Sequence, residues 1–242
     1  MRIVYGIHPV MELVKASPGT VNEVRYSEGS RMKDLLALCS KAHIHAIQTD
    51  RGGVSRFANT NEHQGVAAMA QGYRYAEIDD ILAVAKEANE TPFILALDGI
   101  NDPGNMGSMA RSAYLLGIHG IIFPKDRNVQ VTPAVCKASS GAIEHLKIAQ
   151  VTNLARTLKE LKDSGLWVVG TDFSDGKAPR DIDLKLPVVI VIGSEGEGMR
   201  RLTRTMCDFI ATIPCRNAGF SFNASVAAAL ILAEAANQRA SG

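Results

Sequence analysis

The first segment of the chain that could do chemistry runs from Leu97 to Ala113 and reads LDGINDPGNMGSMARSA. A strand ends there, a polar Gly/Pro turn follows, and a helix is predicted to begin near Met106. Asn105 would then lie where the free backbone N–H groups of a helix start point outward, with Arg111 about two turns further along. By itself such a turn predicts only an asparagine cap and a solvated arginine.

The second segment, from Val189 to Met199, reads VIVIGSEGEGM and runs from an apolar strand into a loop with three glycines. Glycines let a ligand approach main-chain atoms closely. The loop lacks the Gly-Lys-Ser/Thr ending of a P-loop, and Glu195 and Glu197 would repel phosphates. It also does not match the GxGxxG spacing of a dinucleotide site. A neutral or cationic ligand fits better, such as one with an adenine and a sulfonium.

The third segment, from Ile213 to Ala227, reads IPCRNAGFSFNASVA. It is typical of a strand end, a compact polar loop and a helix start. Asn223 and Ser225 are placed there either to cap the helix or to hold a substrate. Taken alone, the segment predicts capping.

The elements that must position these segments begin with a small α/β sandwich. Its helices are predicted at His8–Ala16 and Met32–His43. Its strands are predicted at Asn22–Tyr26, His45–Thr49 and Gly65–Ala70. We therefore predict a first domain over residues 1–71, followed over residues 72–90 by a linker and a leading helix around Ile78–Lys86.

Residues 91–242 are predicted to form a second α/β domain, because short apolar runs alternate there with amphipathic stretches. This alternation indicates a mainly parallel sheet covered by helices on both faces. An Ala/Leu-rich helix is predicted last, over Asn223–Arg239. The predicted strands are Phe93–Leu97, Gly120–Phe123, Leu146–Gln150, Trp167–Gly170, Val188–Gly193 and Phe209–Ile213.

Composition excludes several classes of protein. The 242 residues are 46% hydrophobic and carry a net charge of only +1, so any nucleic-acid contact must come from local patches. No apolar run is long enough for a membrane span, and the first residues lack a signal-peptide core, which predicts a cytoplasmic protein without membrane contact. The four cysteines form no CxxC pair and no metal-ligand spacing with the histidines. We therefore expect reduced, mostly buried thiols and no metal.

Together and in this order, the three segments resemble the SpoU (TrmH-type) branch of the SPOUT methyltransferases. That branch has Asp-Pro-x-Asn-x-Gly-x-x-x-Arg, then Gly-x-Glu-Gly-x-Gly, then Ile-Pro followed by Ser-Leu-Asn-Val-Ser. The likeness covers the whole second domain, and it extends into the first domain through the stretches YGIHPV, from Tyr5, and HQGV, from His63. Three spaced motifs in one order are far more specific than any one of them.

The resemblance implies a parallel sheet with a deep trefoil knot in the second domain, and a first domain similar to small RNA-binding ribosomal proteins. It implies a homodimer whose active site lies near the subunit interface. It also implies that S-adenosyl-L-methionine is the cofactor. The positions that match the family's cofactor contacts are Gly193, Gly198, Ile213 and Phe222.

By the same resemblance, Arg111 is the central catalytic residue, and Asn105, Glu195, Ser221 and Asn223 surround the nucleotide and cofactor. A guanidinium stays protonated, so Arg111 acts better as a clamp that stabilises an emerging alkoxide than as a free base. We expect Glu195 to orient hydrogen-bond donors rather than to take the proton.

The closest likeness within the family is to bacterial enzymes that methylate a guanosine 2′-hydroxyl in 23S ribosomal RNA. Two alternatives stay open: a transfer RNA ribose methyltransferase, and a non-catalytic RNA-binding protein of the same fold. The chain departs from the family pattern at Asn217, Gly219 and Phe222, which puts the shape of the adenine pocket in question. His63 and His8 are candidate RNA contacts, although a lone histidine is more often capped or packed, the reading slightly favoured for His8.

Overall fold

The computed structural model of the protein describes residues 1–29, 32–174, 176–217 and 220–240. The chain divides into two compact units. The first consists of Met1–Arg74 together with Val131–His145, and the second of Tyr75–Gln130 and Leu146–Gly242. The sequence did not predict that a segment from the middle of the chain belongs to the first unit.

The strands and helices follow in chain order. The strands are β1 (Arg2–Tyr5), β2 (Val21–Tyr26), β3 (His45–Gln48), β4 (Val66–Ala70), β5 (Phe93–Asp98), β6 (Gly120–Pro124), β7 (Lys147–Val151), β8 (Trp167–Thr171), β9 (Val188–Gly193) and β10 (Phe209–Ala211). The helices are α1 (Ile7–Ala16), α2 (Met32–Lys41), α3 (Arg51–Ala58), α4 (Ile78–Glu87), α5 (Pro103–Leu115), α6 (Pro133–Ala138), α7 (Leu154–Asp163), α8 (Arg201–Met206) and α9 (Ala224–Ala240).

The first unit contains a four-stranded sheet in the order β1-β4-β2-β3. Strand β4 runs antiparallel to both β1 and β2, while β2 and β3 are parallel. The sequence pattern missed β1 and α3. Helix α3 has Gly52 and Gly53 in its first turn, which hide its periodicity. Its start is fixed instead by Asp50, which accepts a hydrogen bond from the backbone N–H of Gly53 at 2.5 Å.

His63 belongs to the core of the first unit and has no exposed surface. The backbone N–H of Gly65 donates to His63 Nδ1 at 2.9 Å, so the ring proton sits on Nε2 and is shared with Ser55 Oγ at 2.9 Å. The candidate role of His63 as an RNA contact is therefore wrong, because no face of the ring reaches solvent. His8, for which packing was expected, is exposed on α1.

Residues 131–145 join the first unit through a buried ion pair. The Arg2 guanidinium donates to both carboxylate oxygens of Glu144, at 2.8 and 2.6 Å, and lies 5.0 Å from the ring centroid of Tyr73. Such bidentate pairs fix geometry as well as adding stability. Gly141 allows close packing nearby, because a Cβ at that position would lie 2.7 Å from Glu12 Cβ.

The second unit contains a six-stranded sheet in the order β10-β8-β9-β5-β6-β7, in which every neighbouring pair is parallel. All residues of β5 and β9 are buried, as expected for a parallel sheet covered on both faces. One face packs on apolar residues of α4 and α7, such as Ile81 and Leu158. Helix α9 packs against both β9 and α5.

Helix α5 begins at Pro103, three residues before the predicted start near Met106. Asp102 caps it by accepting a hydrogen bond from the backbone N–H of Asn105 at 2.7 Å. Proline is well tolerated at the first helical position because its missing N–H would have no partner there. The backbone N–H of Asn105 therefore already has an acceptor. The sequence had suggested that it points outward to a ligand, and it does not.

The deep trefoil knot stays a prediction, because strand order and register do not define how the chain threads. No helix in the described ranges is both long and apolar enough to cross a membrane. Within those same residues, no group of three or more His, Cys, Asp or Glu side chains is arranged to hold a metal ion.

Lowering the pH is expected to destabilise the first unit, because burial, and to a lesser degree Arg51, lower the pKa of His63 below its ordinary value of 6.5. The unfolded chain then binds a proton that the folded unit does not. The free energy of unfolding therefore falls as the pH drops below about 6.5. Thermal unfolding from about pH 8 to about pH 5 measures this slope. His63→Gln is expected to flatten it, whereas the exposed control His8→Gln keeps it. An unchanged slope in His63→Gln would contradict the assignment.

Candidate active site

The candidate site lies where β5 and β9 end. Asp98, the last residue of β5, is paired in register with Gly193, the last residue of β9. Because the two strands are parallel neighbours, the loops that follow them leave the same edge of the sheet side by side. Ligands bind at this carboxyl edge in open parallel α/β sheets.

The loop after β9 is compact and folds back on itself. The backbones of Ser194 and Gly198 exchange hydrogen bonds at 3.1 and 3.0 Å. Gly193 has no room for a side chain, because a Cβ there would lie 2.2 Å from the carbonyl carbon of Gly198. Gly196 and Gly198 have φ angles of +88° and +67°, which glycine adopts without strain. Residues 194–198, termed here the glycine loop, therefore present main-chain atoms in a fixed shape.

Glu195 of the glycine loop links the starts of two helices. One carboxylate oxygen accepts hydrogen bonds from Asn105 Nδ2 at 3.2 Å, from the backbone N–H of Ala224 at 3.1 Å and from Asn223 Nδ2. Asn223 Nδ2 also lies 2.9 Å from Asn105 Oδ1. The three sequence segments thus converge, and Asn105, Glu195 and Asn223 form one hydrogen-bonded group, termed here the polar triad.

Asn223 also caps α9. Its Oδ1 accepts hydrogen bonds from the backbone N–H and the hydroxyl of Ser225, at 2.9 and 2.6 Å. One side chain therefore makes both the helix cap that the sequence predicts and a contact to Asn105. The cap fixes the orientation of the Asn223 amide, and this orientation aims Nδ2 at the other two members of the polar triad.

Arg111 and Ser221 take no part in the hydrogen bonds of the polar triad. Arg111 is exposed on α5, six residues after Asn105, which in an α-helix corresponds to about 9 Å along the axis and about 240° around it. Ser221 is exposed two residues before Asn223. Both stay predicted site residues on the basis of the sequence motifs.

The predicted cofactor contacts lie on the strand ends and loops of the same unit. Gly193 and Gly198 shape the glycine loop, as described above. Ile213 is half-buried just after β10, and Phe222 is 42% exposed directly before Asn223. Asn217 is exposed. Gly219, the remaining departure from the family pattern, lies outside the described residues.

Asp98 is a residue beside the candidate site that sequence reasoning missed. Its side chain is fully buried, yet Oδ2 accepts a hydrogen bond from the backbone N–H of Arg200 at 2.8 Å, and Oδ1 lies 3.6 Å from Arg200 Nε. The carboxylate therefore ties the far end of the glycine loop to β5. The signal in the sequence was an acidic residue that ends an entirely apolar strand, since a buried charge requires a partner.

The thiols of Cys136 and Cys207 are unsuited to act as nucleophiles. All four cysteines are free; Cys39 and Cys136 are buried, Cys207 is half-buried and Cys215 is exposed. Burial raises the pKa of Cys207 to about 12 and raises that of Cys136 as well, so both stay protonated at neutral pH.

Comparison with known proteins identifies the family of the chain. Residues 92–233 match the SpoU rRNA methylase family, and residues 3–76 match the domain called RNA 2′-O ribose methyltransferase substrate binding. The first match alone covers more than half of the chain. The chain belongs to the SpoU rRNA methylase family and is an RNA methyltransferase.

Individual relatives fit the same assignment. The chain is 51% identical over 180 residues to YacO of Bacillus subtilis, which is named as a TrmH family tRNA/rRNA methyltransferase; the match covers 74% of this chain and 72% of YacO. It is 40% identical over 240 residues to a Staphylococcus aureus protein of the same family name, covering 98% and 96%. Among solved structures, the SpoU methyltransferase AviRb from Streptomyces viridochromogenes, in complex with AdoMet, superposes with a TM-score of 0.82 at 26% identity, covering 99% of this chain and 91% of AviRb.

Glu195→Ala is expected to lower kcat/KM for RNA methylation about 10- to 100-fold, because three N–H donors lose a charged acceptor. Glu195→Gln keeps an oxygen that can accept and should lose less. Methyl incorporation into RNA from labelled S-adenosylmethionine measures both. Glu160→Ala, which removes an exposed carboxylate on α7, is the control and should stay near wild type. Full activity in a folded Glu195→Ala protein would show that the polar triad does not serve the reaction.

Proposed function

We propose that the protein transfers a methyl group from S-adenosylmethionine to the 2′-hydroxyl of a guanosine in 23S ribosomal RNA. The observation that carries the proposal is the polar triad, in which Asn105, Glu195 and Asn223 meet through direct hydrogen bonds at the carboxyl edge of the sheet. These residues belong to three motifs that are far apart in sequence and resemble those of 2′-O-methyltransferases. A fold kept only for RNA binding would not need this arrangement.

The residues present fit S-adenosylmethionine. Gly193 and Gly198 shape a loop of close, exposed main-chain atoms, while Ile213 and Phe222 offer apolar surface for an adenine. Glu195 and Glu197 make the glycine loop acidic, which favours the positively charged sulfonium. The related AviRb was crystallised with AdoMet. When bound, the cofactor supplies a methyl group on a positively charged sulfur, which is a good leaving group.

The task of the protein in such a displacement is positioning. The ribose oxygen must lie close to the methyl carbon and in line with the carbon–sulfur bond, and this alignment supplies much of the rate. We assign to the polar triad the task of holding the ribose in a fixed position relative to the glycine loop. As the oxygen–carbon bond forms and the carbon–sulfur bond breaks, the 2′-hydroxyl proton passes to a phosphate oxygen of the RNA or to water.

We assign to Arg111 the stabilisation of the negative charge that develops on the 2′-oxygen. A guanidinium is planar, permanently charged and able to donate two parallel hydrogen bonds, which suits a clamp on a phosphate and ribose. Its exposed position on α5 leaves the side chain accessible to RNA. Ser221, exposed beside the cap of α9, is the second side chain that we place near the nucleotide.

A ribosomal RNA substrate is favoured by the first unit. Residues 3–76 match a domain named for substrate binding in 2′-O ribose methyltransferases. We propose that residues 1–71 recognise folded RNA and that residues 91–242 catalyse methyl transfer. Residues 72–90 would connect these two domains. Transfer RNA is the second candidate substrate, because both curated relatives carry the name tRNA/rRNA methyltransferase.

We also propose that the protein is a cytoplasmic homodimer. Four apolar side chains on α5 and α9 are exposed between 44% and 71%, and these two helices pack against each other. A second copy would cover such a surface. The four side chains are Tyr114, Leu115, Val226 and Leu230.

The decisive experiment incubates the purified protein with labelled S-adenosylmethionine and either an unmodified 23S ribosomal RNA transcript or unmodified transfer RNA. Methylation blocks alkaline cleavage at the modified ribose, which maps the site. We expect label on a single guanosine of the ribosomal RNA. Label on transfer RNA only would make transfer RNA the substrate in place of ribosomal RNA. Label on neither RNA would favour an RNA-binding protein without methyltransferase activity.

Arg111→Lys tests the clamp, because lysine keeps the positive charge and loses the planar fork. We expect kcat to fall about tenfold or more while the affinity for S-adenosylmethionine stays unchanged. Single-turnover methylation and calorimetric cofactor binding measure the two quantities. Arg156→Lys, at an exposed ion-paired position on α7, is the matched control. Near-full turnover in Arg111→Lys would rule out the bidentate contact.

A further inference from the structure

A cavity of about 470 Å³ opens beside the glycine loop and the loop after β5. It lies within the second unit and shares its walls with the candidate active site: Ser194 and Gly198 line it, while Glu195, between them in sequence, belongs to the polar triad. The glycine loop therefore lies between the cavity and the polar triad. The lining residues that matter here are Asp98, Gly99, Asn101, Arg127, Arg200 and Arg201.

The charged side chains around the cavity carry an excess of one positive charge. Asp98 accepts from the Arg200 backbone and lies within ion-pair distance of its guanidinium. The side chains of Arg127 and Arg201 make no hydrogen bond or ion pair to any residue that the structure describes, whereas Arg200 is paired with Asp98. Glu197 is the other acidic residue of the lining. Three arginines against two carboxylates leave one net positive charge, which matches one singly charged anion.

Arg127 is held in place although its side chain is exposed. Its φ of +57° is unusual for a non-glycine residue, and such conformations persist only where surrounding contacts enforce them. The contacts come from its neighbours: buried Asn128 accepts from the backbone N–H of Ile100 at 2.9 Å, and Val129 N–H donates to the Ile100 carbonyl at 2.8 Å. These bonds fasten the chain at 127–129 to the loop after β5.

We propose that this cavity binds one phosphodiester of the RNA strand beside the target ribose, with Arg127 and Arg201 as its ligands; the inference rests on the proposed function. A phosphodiester carries the single negative charge that the lining lacks, and arginine forks match its two free oxygens. The glycine loop then separates the phosphate, on one side, from the polar triad on the other. Binding there fixes the register of the strand and leaves base identity to other contacts.

The test uses the full-length protein and an unmodified 23S ribosomal RNA transcript, with Arg127→Gln, Arg201→Gln and the double variant. Affinity is measured by filter binding over a series of salt concentrations. Loss of this one phosphate in the double variant is expected to reduce the slope of log K against log salt by about 1 and to weaken binding about tenfold or more. Cofactor affinity and thermal unfolding should match wild type.

Arg180→Gln is the matched control. Arg180 is also an exposed arginine that lines a cavity of the second unit, but that cavity of about 570 Å³ is lined by Asp181, Asp183 and Glu234, which outnumber its two cations. It should therefore retain the wild-type salt slope. If the double variant also keeps that slope while the wild type methylates the transcript, the phosphate subsite is wrong and the proposed function stands. If the wild type neither binds nor methylates either RNA, the proposed function fails, and this inference with it.

Discussion

The register between β5 and β9 is the constraint on which the site depends. It sets Asp98 beside Gly193, so that two loops from distant parts of the chain leave the sheet together. Gly193 has no space for a Cβ, which forces the glycine loop to turn directly above the strand end. Asp98 holds the other end of that loop through Arg200. A fully buried carboxylate is costly without partners, so the contacts of Asp98 with Arg200 hold both the carboxylate and the end of the loop in place.

From this base, the polar groups of the second unit serve more than one purpose each. Glu195 accepts hydrogen bonds from the other two side chains of the polar triad and from the backbone N–H of the first residue of α9. Asn223 is at once a helix cap and a member of the triad. Because structural and chemical roles share the same atoms, the geometry around the substrate is coupled to the integrity of the helix starts. This coupling preorganises the polar groups of the site.

Much of the second unit could be predicted from sequence, because fully buried parallel strands appear as unbroken apolar runs, and the order of three motifs indicated their convergence. Asp98 and Arg127 were not found. The role of Asp98 depends on a contact about a hundred residues away, and the backbone angle of Arg127 is imposed by hydrogen bonds of its neighbours to Ile100. The missed helix α3 is capped by Asp50 and interrupted by glycines, so its local pattern was too weak. Local periodicity carries no information on such long-range bonds.

The path of the chain between its two units has a consequence for how the protein is made. The first unit includes Val131–His145, whose Glu144 accepts hydrogen bonds from the two terminal guanidinium nitrogens of Arg2. During synthesis the ribosome must therefore deliver β5, α5 and β6 before the segment that completes the amino-terminal fold emerges. Until then Arg2 lies in the nascent chain without its carboxylate partner. Maturation of the first unit thus waits on translation of the first 145 of the 242 residues, which argues against vectorial, domain-by-domain folding of this protein.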